Sequence, residues 1–453
     1  SPVRPHPSNP HYLLFRGEGT LLVGASHFSY RAWTWSDYIP MLDAADAYDL
    51  NVFRVWNAAS RWPDTPRDSV HPWVRSSVPG AADGGNKFDL DKWNESYFAR
   101  LKDLIREAGK RGIVVEVTLL NGYPDVWEYS PLRAGNNIQG IGSGSWGTFL
   151  TLTDSTLRER QRALIRKTVE ELNAFDNLYF EIMNEPSIVD PAWHSSMIQE
   201  VVRTEASLPN KHLIAVDRGE MYESLNPKPS IINSHYTYGS TWMGAMELLD
   251  RLYDADRILA ADEMSEVPAH MTAADGRVEA WEFMVGGGSI YNGLITGTEY
   301  QSAEASRYRA YLKLLKSFLS GFDFLKMRQD RNVIAGGVGA DGYARAISEP
   351  GKQYAIYFHH SARGQGRSLG GKDTNYIVKP GRYRRNLTLT LPPGSYKAEW
   401  ISPESGAIMG SEIFNHGGGD KTLTTPTYSI DIALSIKVEA MGTEMRHPFA
   451  GPG

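Results

Sequence analysis

The chain has 453 residues, 41% of them hydrophobic and 22% charged, with 47 basic against 53 acidic side chains and a formal net charge of -6. That balance offers no basic field for nucleic acid, and no apolar run approaches the roughly 20 residues of a membrane-spanning helix. With no cysteine, disulfides, thiolate nucleophiles and thiolate metal sites are excluded together.

The first residues, SPVRPHPSNP, carry neither an initiator Met nor an apolar signal core. A removed leader or a trimmed terminus would look the same, and secretion or the periplasm is the favoured location. From there to residue 320, short apolar runs alternate with longer amphipathic ones. Strands are predicted at TLLVGASH (20–27), NVFRVW (51–56), GIVVEVTLL (112–120), NLYFEIM (177–183), LIAVD (213–217), SIINSHY (230–236), RILAADE (257–263) and GSIYNGL (288–294). Helices fit between them at 37–49, 93–111, 155–175, 192–206, 242–254, 272–284 and 303–320; only the crossover near 220–227 is poorly helical. Such alternation is the pattern of a parallel sheet with helical crossovers, and eight units match a (β/α)8 TIM barrel. A doubly wound open sheet is the alternative.

The crossovers at 57–91 and 121–154 are long and rich in Gly, Pro and Asn, and are expected to wall a cleft. After residue 322 the texture changes to alternating segments such as YARAISE, NLTLTL and GSYKAEWI, separated by turn clusters such as EPGK and LPPG. The expected organisation is therefore a barrel over 1–322 and an all-β sandwich over 323–453.

Barrel chemistry sits at the C-terminal ends of the strands. The ionisable residues expected there are His27, Arg54, Glu185, His235, and Asp262 with Glu263. The segment NLYFEIMNEP is the most informative, because an apolar run ends abruptly in an amide, a carboxylate and a proline. Glu185 and Glu263 fall at the same point of their own repeats, three units apart. Two carboxylates flanking one bond suit glycoside hydrolysis, in which one protonates the leaving oxygen while the other attacks the anomeric carbon or activates water.

The NEP that closes one strand, the Glu that closes another three units later, the Arg of NVFRVW and the His of NSHYTY together resemble the clan A glycoside hydrolases. This is the cellulase-like superfamily of retaining enzymes, and the resemblance covers residues 12–320. It implies that Glu185 is the acid/base, Asn184 the residue binding the sugar 2-hydroxyl, Glu263 the nucleophile, Arg54 the cation holding that nucleophile ionised, and His235 an active-site histidine. Departures exist. Met264 and Ser265 follow Glu263 where many relatives have an aromatic residue and Gly, which makes Asp262 and Glu266 rivals. The family's His-x-Tyr is here His235-Tyr236-Thr237-Tyr238, so Tyr238 is a candidate and the choice between the two tyrosines stays open. The pattern GSYKAEWISPESG resembles the small sandwich that often follows such barrels and packs on them.

Sugars present C–H faces to aromatic rings. Trp33, Trp35, Trp56, Trp62, Trp73, Trp127, Trp146, Trp193 and Trp242 fall on the expected site side, whereas Trp93, Trp281 and Trp400 read as packing. Core burial is the alternative for each one alone. Trp56, Trp127, Trp242 and Asn121 are predicted substrate contacts, with Asp125 and Glu128 beside them and His27 lining the mouth. The GxGxxG at Gly337, Gly339 and Gly342 lies in a β-region and reads as a turn. His359 and His360 would face opposite sides of a strand, a poor metal arrangement. The expectation is a retaining β-glycoside hydrolase that cleaves a β-linked oligo- or polysaccharide without metal or cofactor. The alternative is a carbohydrate-binding barrel without turnover.

Overall fold

Three strands that were not anticipated open the chain: β1 (Arg4–His6), β2 (Asn9–Phe15) and β3 (Glu18–Thr20) form a small antiparallel sheet. The computed structural model describes residues 1–28, 38–56, 70–122, 124–188, 190–239, 242–295, 300–364 and 375–439. Trp33, Trp35 and Trp62 lie outside the described residues.

The first barrel stave is split into β4 (Leu22–Gly24) and β5 (His27–Phe28). There follow α1 (Ile39–Ala47), β6 (Val52–Trp56), β7 (Trp73–Pro79), β8 (Asn86–Trp93), α2 (Glu95–Lys110), β9 (Val114–Asn121), the short α3 (Trp146–Phe149), α4 (Ser155–Leu172) and β10 (Leu178–Asn184). The second half comprises α5 (Pro191–Ala206), β11 (Ile214–Asp217), a 3-10 stretch Gly219–Ser224, β12 (Ile231–Ser234), α6 (Ala245–Leu252), β13 (Ile258–Val267), α7 (Ala273–Val285), β14 (Ile290–Ile295) and α8 (Ala303–Ser320).

Parallel pairing runs β4-β14-β13-β12-β11-β10-β9-β6-β5. Because β4 and β5 belong to one stretch of chain, the sheet returns to itself as a (β/α)8 barrel. Every residue of β6, β9 and β10 is buried, which explains their nearly continuous apolar runs: a parallel strand is covered on both faces. α2 buries Tyr97, Leu101, Leu104, Ile105 and Ala108 at three- and four-residue spacing, each large side chain contributing about 1.5–3 kcal/mol. α5 starts where Asp190 accepts hydrogen bonds from Ala192 N and Trp193 N and Pro191 follows, a cap that contributes about 1 kcal/mol.

The N-terminal sheet closes the barrel floor. Val3, Leu13 and Phe15 cluster with Leu22, Val52, Val114, Leu213, Ile231, Ile258 and Ile290, residues at the N-terminal ends of the barrel strands.

Part of the long 57–91 segment is an antiparallel hairpin, β7 with β8. Trp73 is fully buried and stacks on Trp93 at 5.6 Å, so Trp93 ends a strand rather than lying in a helix, and both tryptophans are packing residues. Trp193 also leaves the predicted cleft set: it is buried in α5 and its indole N–H donates to Gln161.

Among the described residues, eleven strands follow the barrel: β15 (Arg328–Gln329), β16 (Ile334–Gly336), β17 (Tyr343–Glu349), β18 (Gln353–His359), β19 (Ser361–Gly364), β20 (Asn375–Val378), β21 (Asn386–Leu391), β22 (Gly394–Ile401), β23 (Ile408–His416), β24 (Gly419–Thr424) and β25 (Asp431–Val438). A six-stranded sheet, β15-β17-β18-β25-β22-β23, packs on a three-stranded one, β16-β21-β24, around Tyr354, Leu387, Leu389, Trp400 and Leu434. The other face of the larger sheet, through Ile347, Ala355, Tyr357 and Ala433, joins the barrel core. The hairpin β19-β20 also lies against α7. α7 is therefore buried all round, from Asp275 to Val285.

Candidate active site

The C-terminal ends of four strands deliver the charged residues. β6 supplies Arg54, β10 supplies Glu181 and Asn184 and leads into Glu185, β12 leads into His235, and β13 carries Asp262 and Glu263. The pairing of β13 with β14 shifts register between Ala261 and Met264, an irregularity of the kind that re-aims side chains. Three residues here adopt left-handed backbone: Glu185 (φ 41°), Tyr236 (φ 60°) and Glu263 (φ 52°). Each such conformation costs about 1–3 kcal/mol and persists only where its surroundings over-determine it. At Glu185 the constraint is visible. Gly122 N donates to Asn184 O at 2.7 Å and Ser187 N donates to Gly122 O, and a Cβ on Gly122 would lie 2.6 Å from Pro186 Cα.

Arg54, with no exposed surface, is the hub. Its Nη1 donates to Glu263 Oε2 at 2.6 Å, and its Nη2 donates to Glu181 and to Asn184 Oδ1 at 2.8 Å. Its Nε lies 3.1 Å from Asp262 and 3.9 Å from Glu116. His235 is the second cation, with Nε2 at 2.9 Å from Asp262 Oδ1 and Nδ1 at 3.2 Å from Glu185 Oε1 and 3.8 Å from Glu263 Oε2. Those two carboxylate oxygens are therefore at most about 7 Å apart. The Tyr236 hydroxyl also donates to Glu185 Oε1, at 2.9 Å.

Five carboxyl groups face two cations, so they cannot all be ionised alike. Burial pushes the Glu116 carboxyl well up, reinforced by Asp262 and Glu181. Glu181 is raised to about 7, burial outweighing Arg54. Asp262 is also buried, but Arg54 and His235 hold it far below the usual range. Burial disfavours His235's charge, yet Asp217 and Asp262 raise it well above an ordinary imidazole.

The pair at the mouth departs from expectation. Burial raises Glu185, but His235 and the Tyr236 hydroxyl outweigh it and leave the group lowered. Burial and the adjacent Glu185 charge raise Glu263 to about 8, against His235 and Arg54. Arg54 touches the predicted nucleophile, and three other carboxylates share it.

Exposure separates the rivals. The Glu185 and Glu263 side chains are 14% and 10% exposed, against 0% for Glu181 and 1% for Asp262 and Glu116. Glu266 pairs with His270 at 3.3 Å. Glu185 and Glu263 are thus the members of the Arg54 cluster that open to the mouth.

The remaining predicted residues divide. Asn184 donates to Asn121 Oδ1 at 3.3 Å, placing both amides in the buried layer beside the pair. β5 pairs His27 with Arg54 in register. Trp56 ends β6, with the Arg54 guanidinium 5.5 Å from its ring. Trp242 is half-buried, 6.0 Å from Tyr236 and 4.7 Å from the Arg218 guanidinium. Trp127 is mostly covered, packing on Trp146 and Phe149, whereas half-buried Trp146 donates to Ser187 Oγ, two residues past Glu185. Asp125 and Glu128 are exposed. Tyr238 points away from the carboxylates to Tyr376 Oη, and it is Tyr236 that touches Glu185. His359 and His360 are engaged separately, by Glu282 and by a stack on Tyr383.

Glu116 and Glu181 escaped the sequence reading. The signal was present, since a lone carboxylate stands in the middle of each apolar run, GIVVEVTLL and NLYFEIM, where a buried charge must be paired. Glu181, His235 and Asp262 each present an atom within 4.8 Å of the others. Glu181 and Asp262 already hold the Arg54 guanidinium, so a metal ion there would have to displace it.

Neither a family model nor a curated protein matches the chain. Among solved structures it is similar to a glycoside hydrolase, at 13% identity over 97% of both chains with a TM-score of 0.62. A family 5 glycoside hydrolase from Bacteroides vulgatus also has 13% identity and a TM-score of 0.62, over 97% of this chain and 94% of that one. A family 27 β-L-arabinopyranosidase from Geobacillus stearothermophilus is similar at 7% identity and a TM-score of 0.50, over 93% and 96%. These are likenesses of fold, and the fold is the one expected from the resemblance to the cellulase-like superfamily.

Proposed function

We propose that this barrel is a retaining β-glycoside hydrolase acting on a β-linked oligo- or polysaccharide by double displacement. The observation that carries the reading is the Glu185–Glu263 pair, the part of the Arg54 cluster open to the mouth, with both carboxylates against one His235 nitrogen. Their upper-limit separation accommodates the about 5–5.5 Å of a retaining pair.

In the first step Glu263 Oε attacks the anomeric carbon while Glu185 gives its proton to the departing oxygen. In the second, Glu185 takes a proton from water as that water displaces Glu263. The reaction needs one proton on the pair, carried by Glu185. The lowered Glu185 and the raised Glu263 favour holding it on Glu263 before substrate binds. His235 Nδ1, close to both groups, can give its proton to Glu185 and take the one from Glu263. Half-buried Trp146, which bonds Ser187 two residues past Glu185, and Trp242, 6.0 Å from Tyr236, are the rings proposed to meet the C–H faces of a sugar.

Glu185→Gln is expected to slow cleavage of substrates with poor leaving groups by about 10²–10⁴-fold while binding persists, and Glu263→Gln to abolish turnover. NMR of the first anomer released should show retained configuration. Near wild-type rates in both variants would sink the assignment. Met264 and Ser265, standing where many relatives have an aromatic residue and Gly, favour one second reading, a sugar-binding barrel without turnover. Calorimetric binding of an oligosaccharide that is never cleaved would select it.

A further inference from the structure

Residues 235–238 run from the mouth to the contact with the C-terminal strands, the first two side chains held at the mouth and the last two by α7 and β20. His235 meets Asp262 and Glu185, and Tyr236 donates to Glu185. Thr237 donates to Glu279 of α7. Tyr238 donates to Tyr376 Oη at 2.8 Å, the two rings meeting edge-on at 5.5 Å. Tyr376 belongs to β20, beyond the barrel, and donates in turn to Glu282 of α7, which also holds His359 Nε2 at 2.6 Å. Tyr238, Tyr376 and Glu282 are all buried.

The backbone is pinned as well. Ala245 N donates to Tyr236 O at 2.9 Å and Met246 N to Thr237 O at 3.2 Å. Gly244 leaves no room for a Cβ, which would lie 2.5 Å from Tyr238 Cα. A tyrosine at φ 60° requires a clamp of this kind, and one of its jaws comes from outside the barrel.

We propose that Tyr376 is a positioning residue for the site: through its hydrogen bond with Tyr238, the C-terminal domain holds His235 and Tyr236 against Glu185. The inference rests on the reading of Glu185 as the acid/base and adds that the sandwich is part of the catalytic apparatus. Elsewhere in the same interface, Asp431 accepts from Arg277 and Tyr357, which provides a control that weakens docking away from Tyr238.

The test uses the full chain, an aryl β-glycoside, and nitrogen-15 NMR of the histidine rings with His235 assigned by its loss in His235→Gln. Tyr376→Phe and Tyr238→Phe should each lower kcat about tenfold with KM changed less than about twofold. The double variant should be no slower than either single one, and the His235 ring signals should move in all three. Asp431→Asn should lower the melting temperature while leaving kcat and the ring signals in place. If Tyr376→Phe behaves like Asp431→Asn, or leaves the His235 signals where they are, the positioning role is overturned. A wild-type chain that cleaves no glycoside would instead refute the proposed function, and the ring signals would still decide the role of Tyr376.

Discussion

Two of the buried charge clusters among the described residues are built on opposite principles. Between the barrel and the C-terminal sheets, Arg277 makes two 2.9 Å bonds to Asp431, while Glu282 faces Arg345 and His359. Burial opposes the Glu282 charge, but His359 and Arg345 outweigh it and leave the group lowered. Asp431 pairs with Arg277, and Glu282 meets both His359 and Arg345, the latter also holding the half-exposed Asp250. At the mouth, Arg54 and His235 serve Glu116, Glu181, Glu185, Asp262 and Glu263 together, and three of the five are pushed up. Matched pairs keep fixed charges and hold a surface in register. An acidic surplus keeps a proton that can change hands near neutrality, which is what acid-base chemistry requires.

Breaking each cluster at its arginine should give the largest contrast. Arg54→Met strands several carboxylates and should cost about 3–5 kcal/mol in stability, together with most of the activity. Arg277→Met should lower stability by a similar amount in urea unfolding yet leave the kcat of the folded protein unchanged, and adding Asp431→Leu should recover much of the loss. Equal kcat losses in the two arginine variants would erase the distinction.

A smaller effect tests the surplus directly. Because Glu263 is raised to about 8 when folded, the native state binds more protons than the unfolded chain between the ordinary carboxylate range and that value. Its contribution to stability therefore falls as pH rises through this window. Glu263→Gln should melt higher than wild type at pH 8 and show little gain at pH 5; a gain of the same size at both would contradict this.

The smallest effect concerns the rate profile. Activity should rise as the pair loses its first proton, below the usual glutamate range, and fall near pH 8 as it loses the second. Tyr236→Phe removes a donor that lowers Glu185, so the acid limb of kcat/KM should move upward by up to about one unit, while an unmoved limb would mean that the Tyr236 hydroxyl does not tune the pair.

Much of the fold was readable because buried parallel strands and amphipathic helices leave strong periods. β10 and α8 fall where the apolar runs place them. The N-terminal sheet was missed because RPH, NPHYLLF and EGT are short and interrupted by turn residues, and its antiparallel pairing lies outside the βα rhythm. The strand ends of the candidate site followed from that rhythm, but side-chain direction did not. Tyr236 sits at φ 60°, which breaks the alternation that would have chosen between it and Tyr238. Trp193 was misplaced because following a strand in sequence does not keep a residue at the mouth, and its helix turns it into the core. The charge order of Glu185 and Glu263 was beyond reach for another reason: it turns on burial and on the His235 ring and Tyr236 hydroxyl that face Glu185, which only the fold brings together.

The apolar plug formed by Val3, Leu13 and Phe15 beneath the strands shuts this vessel at its base. On the proposed double displacement, the water of the second step, the freed sugar and any hydrogen ion exchanged with solvent would share the mouth at which Glu185 and Glu263 are exposed. A glycan seated there would also be the stopper, cutting the acidic pool below off from the medium until the leaving portion departs.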